Sequence, residues 1–260
     1  MSNNVAYNLR SSDALLCRAS SGKLLKWVAG DCFVKTSSIN HNDIVPRFMY
    51  ESYSEVAASA LSKDLNITRS VIYKPCSIII DGRVETVGCY CNNFLKKDEE
   101  YISIGHLMEY NNLTLPYGLK AYQVLKKTIN NKGFSEVMDD CLLLDYVILN
   151  CDRHYGNFGL IKNRHGNIKA APVFDSGDSL FGSKYINGMK YSSKLVGYVN
   201  ARPFNPDFEE QLGLVNKRLK LTNLDNTYMA LNDLQNNWGL PSERKEFILD
   251  IIKSRINKII

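Results

Sequence analysis

Asn150-Cys151-Asp152-Arg153-His154-Tyr155-Gly156-Asn157 is the run on which the reading of this chain turns, together with Phe174-Asp175-Ser176-Gly177 further along. Ahead of it, Leu142-Leu143-Leu144-Asp145-Tyr146-Val147-Ile148-Leu149 is apolar enough for a buried helix or helix end, and it delivers a polar loop carrying Asp152, His154 and Asn157. Behind it, Phe158-Gly159-Leu160-Ile161 and Ile168-Lys169-Ala170-Ala171-Pro172-Val173 read as two short strands about Asn163-Arg164-His165-Gly166-Asn167, a hairpin with glycine at the turn. Such a hairpin brings Asp175 back beside Asn157.

That grouping suits phosphoryl transfer for a physical reason. A triphosphate bound with magnesium requires hard oxygen ligands, a group that orients the nucleophile, and positive charge on the phosphates. Asp152 can orient a hydroxyl, while Asn157 and Asp175 can hold a metal ion. The separation of five between Asp152 and Asn157 equals that in the protein-kinase loop H-R-D-x-x-x-x-N, although here the histidine follows the aspartate. Asp-Arg-His-x-x-Asn followed by Asp-Ser-Gly resembles the HipA-like serine/threonine kinases of bacterial toxin–antitoxin systems and, more distantly, the phosphoinositide 3- and 4-kinases.

Strands are expected at 14–19, 24–29 and 32–35, with Ser20-Ser21-Gly22-Lys23 and Gly30-Asp31 as turns, giving an antiparallel meander. A polar loop with glycine between two strands can lay backbone N–H groups over phosphates, which makes Ser21 and Gly22 candidate nucleotide-binding residues; surface hairpins use the same residues. The loop is not a Walker A motif, because Leu24 stands where Ser or Thr would be needed. Lys35 ends an apolar strand, and residues 47–65 carry Tyr53, Val56, Ala57, Ala60, Leu61 and Leu65 at helical spacing. A strand lysine followed by a helix glutamate is the pair that fixes the phosphate-binding lysine in kinases. Glu55 is the candidate partner of Lys35, with Glu51, one turn earlier, as its competitor.

Further strands are expected at 71–73, 77–80 and 84–90, with Asp81-Gly82 as a hairpin turn. Residues 92–100 are polar and charged, which suits a linker between lobes, and 89–92 would then offer backbone groups to an adenine. From Tyr101 the pattern turns helical, with helices expected at 119–130, 134–149, 207–219 and 224–238 and a last one starting at Pro241-Ser242-Glu243. Residues 176–200 lack clear periodicity and read as a functional loop. The expected fold class is α+β, a bilobal protein-kinase-like fold with a small antiparallel β lobe carrying one helix and a larger, mostly helical lobe. Residues 1–94 form the first lobe and 95–260 the second, within one kinase domain. Met1 to Ser12 is expected to lie loosely against it.

Composition narrows the class. The 260 residues are 45% hydrophobic and 10% aromatic, enough for a sizeable core. The balance of 32 basic against 27 acidic residues, net +5, suits an anionic nucleotide or an acidic partner and lacks the footprint of a nucleic-acid binder. The seven cysteines include no C-x-x-C pair, which argues against a disulfide framework or zinc site and for a reducing cytoplasm. No apolar run approaches the roughly 18 residues of a membrane span, and Met1 to Arg10 has no signal pattern.

The HipA-like resemblance, covering residues 14–200, implies ATP and magnesium as cofactors, a serine or threonine hydroxyl of a protein as acceptor, and an antitoxin as partner. It gives the base role to Asp152, whereas the likeness to phosphoinositide kinases offers His154, and a brace for the loop is a third role for that histidine. Arg153 is expected to pair with a carboxylate. Compared with full-length HipA-like toxins this chain reads as a minimal form, and its loop has Ser20, Ser21 and one glycine where the family has a serine among glycines that becomes autophosphorylated. Self-inactivation through Ser20 or Ser21 is therefore one expectation, and ordinary turn serines the other. A lipid kinase, a pseudokinase, and a module binding an antitoxin or DNA are the alternatives; Lys184, Lys190, Lys194, Tyr185 and Tyr191 keep the lipid reading open.

Overall fold

The computed structural model describes residues 5–14, 24–40, 47–112, 114–115, 118–184 and 192–260. Its strands are β1 (Ala6–Leu9), β2 (Lys26–Ala29), β3 (Cys32–Thr36), β4 (Ile39–Asn40), β5 (Arg47–Phe48), β6 (Lys74–Ile80), β7 (Val84–Asn92), β8 (Glu99–Ser103), β9 (Gly159–Asn163) and β10 (Ile168–Ala170). The helices are α1 (Glu51–Asp64), α2 (Ile104–Tyr110), α3 (Leu119–Ile129), α4 (Lys132–Ile148), α5 (Phe208–Leu212), α6 (Asp225–Trp238) and α7 (Ser242–Arg255). The architecture is α+β and bilobal on the protein-kinase plan: a small sheet with α1 against it, and a larger, mostly helical part.

The small sheet runs β1-β6-β7-β3-β2. Its neighbours are antiparallel except β1 and β6, which pair parallel from Ala6↔Ser77 to Leu9↔Ile80. Gly30, at φ +60, turns β2 into β3 and sets Ala29 opposite Cys32, which in turn sets Trp27 opposite Val34 and Lys26 opposite Lys35. Trp27 and Val34 are buried with Cys76, Ile78 and Ile80 on one face of the sheet. Because side chains alternate along a strand, Lys26 and Lys35 go to the other face, where α1 lies.

Helix α1 is buried along nearly its whole length. Its apolar residues, among them Val56, Ala57 and Leu61, join one core with α4, α6 and α7. Its buried polar residues each have a partner. Asp64 accepts hydrogen bonds from Asn226 N at 3.1 Å, Thr227 N at 2.9 Å and Thr227 Oγ1 at 2.6 Å. That carboxylate satisfies the first amide groups of α6, whose own N-cap residue, Leu224, supplies none. Asn131 caps α4 by accepting from Phe134 N at 2.9 Å, and Leu149 ends it in the left-handed region at φ +53, turning the chain into the loop 150–157.

Several expectations are corrected here. The segment read as loose contains β1, held by its pairing to β6. Residues 71–73 form no strand; Val71 N instead bonds Val173 O at 2.9 Å, and Ser70 makes a single bridge to Val173. Glu99–Ser103 is a strand, β8, where the pattern was read as linker and helix, because β9 supplies its partner from 60 residues away in sequence, Ile102↔Leu160 and Ser103↔Gly159 among the pairs. Within 207–219 only Phe208–Leu212 is helical. The strand expected at 14–19 and the loop with Ser20, Ser21, Gly22 and Lys23 lie outside the described residues apart from Ala14.

Candidate active site

Lys35, at the end of β3, is where the sheet meets the rest of the molecule. Its Nζ contacts Glu55 Oε1 of α1 and lies 2.9 Å from Asp175 Oδ1, with the lysine side chain 8% exposed and Glu55 2%. Glu55 uses its second oxygen to accept from Ser176 N at 3.0 Å, so one helix carboxylate fixes both the lysine and the Asp-Ser-Gly turn. Glu51 is engaged elsewhere, by the amide and hydroxyl of Ser38. Lys26 Nζ lies 3.5 Å from Asp175 Oδ2.

Electrostatics follows from this packing. Burial works to lower the Lys35 pKa, yet the Asp175 and Glu55 carboxylates outweigh it and hold the ammonium well above its ordinary value. Burial pushes Asp175 upward, and Lys35 and Lys26 overcome it, so its carboxyl stays ionised well below the usual range. Asp175 also adopts the left-handed backbone region at φ +59, which aspartate tolerates better than most residues. Gly177 follows because a Cβ there would stand 3.3 Å from Glu55 Oε1 and 3.4 Å from Glu51 Cβ.

The loop 150–157 is anchored from beneath. Arg153 is fully buried and donates through Nε to Asp145 Oδ2 at 2.8 Å, through Nη2 to Asp145 Oδ1 at 2.9 Å and to Ser176 Oγ at 3.2 Å, and through Nη1 to Phe174 O at 2.5 Å. One guanidinium therefore ties α4, the loop and the segment carrying Asp175 together. Asn157 donates from Nδ2 to Asp152 O at 3.3 Å, and its Oδ1 has no hydrogen bond among the described residues. His154 Nδ1 accepts from Gly156 N at 3.0 Å. Asp152 is 36% exposed, with Arg202 Nη1 at 3.4 Å from its Oδ1; burial raises its pKa, His154 and Arg202 oppose, and Asp178 adds to the rise.

Beside these groups lies a cavity of about 260 Å³, lined by the charged groups of Lys26, Lys35 and Asp175 and by the rings of Phe33, Tyr73, Phe94, Tyr101 and Phe174. The rings pack on one another, Phe94 at 5.9 Å from Phe33 and 5.5 Å from Phe174 between centroids. Residues 89–92, read as facing an adenine, do not line it; Cys89 and Cys91 are buried within β7, and Phe94 and Leu95 take that wall instead. A larger cavity of about 800 Å³, between Arg69, Lys74 and β10, shares Phe94 with it and reaches Tyr90, Cys91 and Asn92, but none of Lys35, Glu55, Asp152, Asn157 and Asp175 lines it.

The structure thus brings Lys35, Glu55 and Asp175 into contact, and joins Asp152, His154 and Asn157 in one loop that Arg153 ties to Phe174 and Ser176. Ser21 and Gly22 lie outside the described residues. Sequence reading missed Lys26, Asp145 and Arg202. Lys26 was within reach, since the turn at Gly30-Asp31 fixes the register that sets it opposite Lys35. Asp145 carried a fainter signal, a lone acid inside an apolar helical run; Arg202 carried none. Among the described residues no three His, Cys, Asp or Glu side chains converge as a metal cage.

The chain has a protein-kinase-like fold. Among solved structures it is similar to the Helicobacter pylori proinflammatory kinase CtkA, at a TM-score of 0.57 and 14% identity, covering 94% of this chain and 93% of that one. The structure of hydra Fam20 with sugar aligns at a TM-score of 0.41 and 12% identity, over 91% and 81% of the two chains. The first likeness bears on the fold. No family model and no curated protein matches the sequence.

Proposed function

We propose that this chain is an ATP- and magnesium-dependent kinase that transfers the γ-phosphoryl group to a serine or threonine hydroxyl of a protein, as its HipA-like resemblance implies. The observation that carries the reading is the convergence of Lys35, Glu55 and Asp175, from a strand, a helix and a loop 140 positions apart in sequence from the lysine. The cavity suits a nucleotide, offering rings on which a base could stack and ammonium groups for phosphates, and its 260 Å³ is just under the roughly 300 Å³ at which small-molecule pockets begin. Asp175 and the free Oδ1 of Asn157 are hard oxygen donors; magnesium is usually held by one or two such side chains plus substrate phosphates, so the lack of a larger protein cage is no obstacle. When bound, magnesium ATP supplies the phosphoryl group and neutralises its charge.

The chain's own residues then have distinct tasks. Lys35, kept charged by Glu55, offers Nζ to the phosphates. Asp152 orients the acceptor hydroxyl and takes its proton, and its burial, by raising its pKa, makes it a better base than an ordinary carboxylate. His154 suits the bracing role better than the base role, since its Nδ1 is engaged by Gly156 N at 3.0 Å, a contact within the loop itself. The lobe boundary at residues 94 and 95 falls in the segment joining β7 to β8. The six described cysteines are unpaired, which suits a reducing cytoplasm, and no helix among the described residues is long and apolar enough to cross a membrane. An antitoxin is the partner class that the resemblance implies.

The test is phosphoryl transfer from labelled magnesium ATP to proteins of a cell extract, and separately to lipid vesicles, with Asp152→Asn as the control. Label on serine or threonine of extract proteins, absent with the control, is the expected result. Label on lipid alone would replace the protein reading with the lipid one, and nucleotide binding with no label anywhere would make the chain a pseudokinase.

A further inference from the structure

Lys26 is given no task of its own in the functional reading above, yet it stands directly opposite Lys35 in the β2–β3 register and shares the same cavity. Its direction is fixed by its neighbour: Trp27, 1% exposed, is locked on the opposite face and donates from Nε1 to Arg10 O at 2.8 Å, so the alternation of the strand aims Lys26 at the site. Like charges opposite one another on paired strands repel. With side chains 18% and 8% exposed, water screens Lys26 and Lys35 only partly. Asp175 reconciles them by giving Oδ2 to Lys26 and Oδ1 to Lys35.

That arrangement is lopsided. Lys35 has a second carboxylate, Glu55, whereas Asp175 is the one carboxylate within ion-pair distance of Lys26 among the described residues. If Asp175 turns to a metal ion, Lys35 remains paired and Lys26 is left as a half-buried cation facing the cavity. A polyphosphate there would restore its partner.

We propose that Lys26 is a second phosphate-binding residue, which rests on Asp175 in the free protein and moves to the polyphosphate of the bound nucleotide, so that phosphates are gripped by paired lysines from adjacent strands. The inference rests on the nucleotide reading above. It gives a role to a lysine at a register position where its like-charged neighbour would by itself make it unfavourable.

Binding of ATP and of adenosine to the full chain, measured by calorimetry in the presence of magnesium, tests it. Lys26→Met should weaken ATP by about 10- to 100-fold, the worth of one charge-assisted contact, and leave adenosine unchanged. Lys26→Arg should recover most of the ATP affinity, and its recovery shows that a loss in Lys26→Met comes from the charge and not from misfolding. If Lys26→Met binds ATP as the parent does while Lys35→Met is weakened, Lys26 is no phosphate ligand and the nucleotide reading stands. Equal weakening of ATP and adenosine would assign Lys26 a structural role and overturn the proposal. If the parent binds neither, the nucleotide reading itself fails, and this inference with it.

Discussion

Arg153→Met is the substitution whose cost the structure defines best. Methionine matches the reach of the arginine side chain but removes the charge, and Asp145, 0% exposed, is then left in the core. Its remaining support is Asn150 Nδ2 donating to Oδ1 at 2.8 Å and the weak thiol of Cys141 at 3.7 Å from Oδ2. Breaking a buried pair from one side costs about 3–5 kcal/mol, because an uncompensated charge remains, and the carbonyl of Phe174 loses the guanidinium as well. Asp145→Leu combined with Arg153→Met removes both charges and should recover at least about 2 kcal/mol of that loss, since an apolar pair of similar volume is often no worse than the ion pair. Urea denaturation followed by tryptophan fluorescence and circular dichroism measures this. The sequence has two tryptophans, Trp27 in the small sheet and Trp238 at the end of α6, so both parts of the molecule report. A cost below about 1 kcal/mol for Arg153→Met, or a double variant as unstable as the sum of the single ones, would refute the view that this pair is what anchors the loop 150–157.

Magnesium ATP should raise the melting temperature of the parent, by the equivalent of about 2.7 kcal/mol at a hundredfold excess over its dissociation constant, and Asp175→Ala should lose most of that shift; a variant that responds like the parent would show that Asp175 is no ligand. Asp152→Asn should keep nucleotide binding and lose roughly 10²- to 10⁴-fold in turnover, with His154→Gln losing less; a dead histidine variant beside an active Asp152→Asn would reverse the two roles. Because burial raises the Asp152 pKa and the residue works ionised, kcat/KM should rise with pH through a value above the ordinary aspartate pKa of about 3.9; an acid limb at or below that value would contradict the assignment. Gly159→Ala should destabilise the protein by about 1–3 kcal/mol in thermal denaturation, since a Cβ there would stand 2.6 Å from Ile102 O and run into the Tyr101 ring; an unchanged melting temperature would mean that β8 and β9 can part without cost.

The sequence by itself determined the elements whose signal is local. Helical periodicity located α1, α3, α4, α6 and α7, and the turns at Gly30, Asp81-Gly82 and Gly166 marked the β2–β3, β6–β7 and β9–β10 hairpins, because each depends on residues a few positions apart. The order of Lys35, Glu55, Asp152, Asn157 and Asp175 along the chain was legible for the same reason. What only the tertiary structure decided is what pairs across distance. Ala6–Leu9 is too short to announce itself as a strand, and it becomes one by lying along β6; Glu99–Ser103 does so by lying along β9. The choice of Glu55 over Glu51 for Lys35 was decided by how α1 packs on the sheet, which puts Ser38 against Glu51. Asp145 read as part of an apolar run and is in fact the buried counter-ion of Arg153, and Lys26 read as an ordinary strand residue and faces Asp175 from 149 positions away. A charge in a sequence has no partner until the fold excludes water around it and brings an opposite charge within a few ångströms, and neither condition is written in the neighbouring residues.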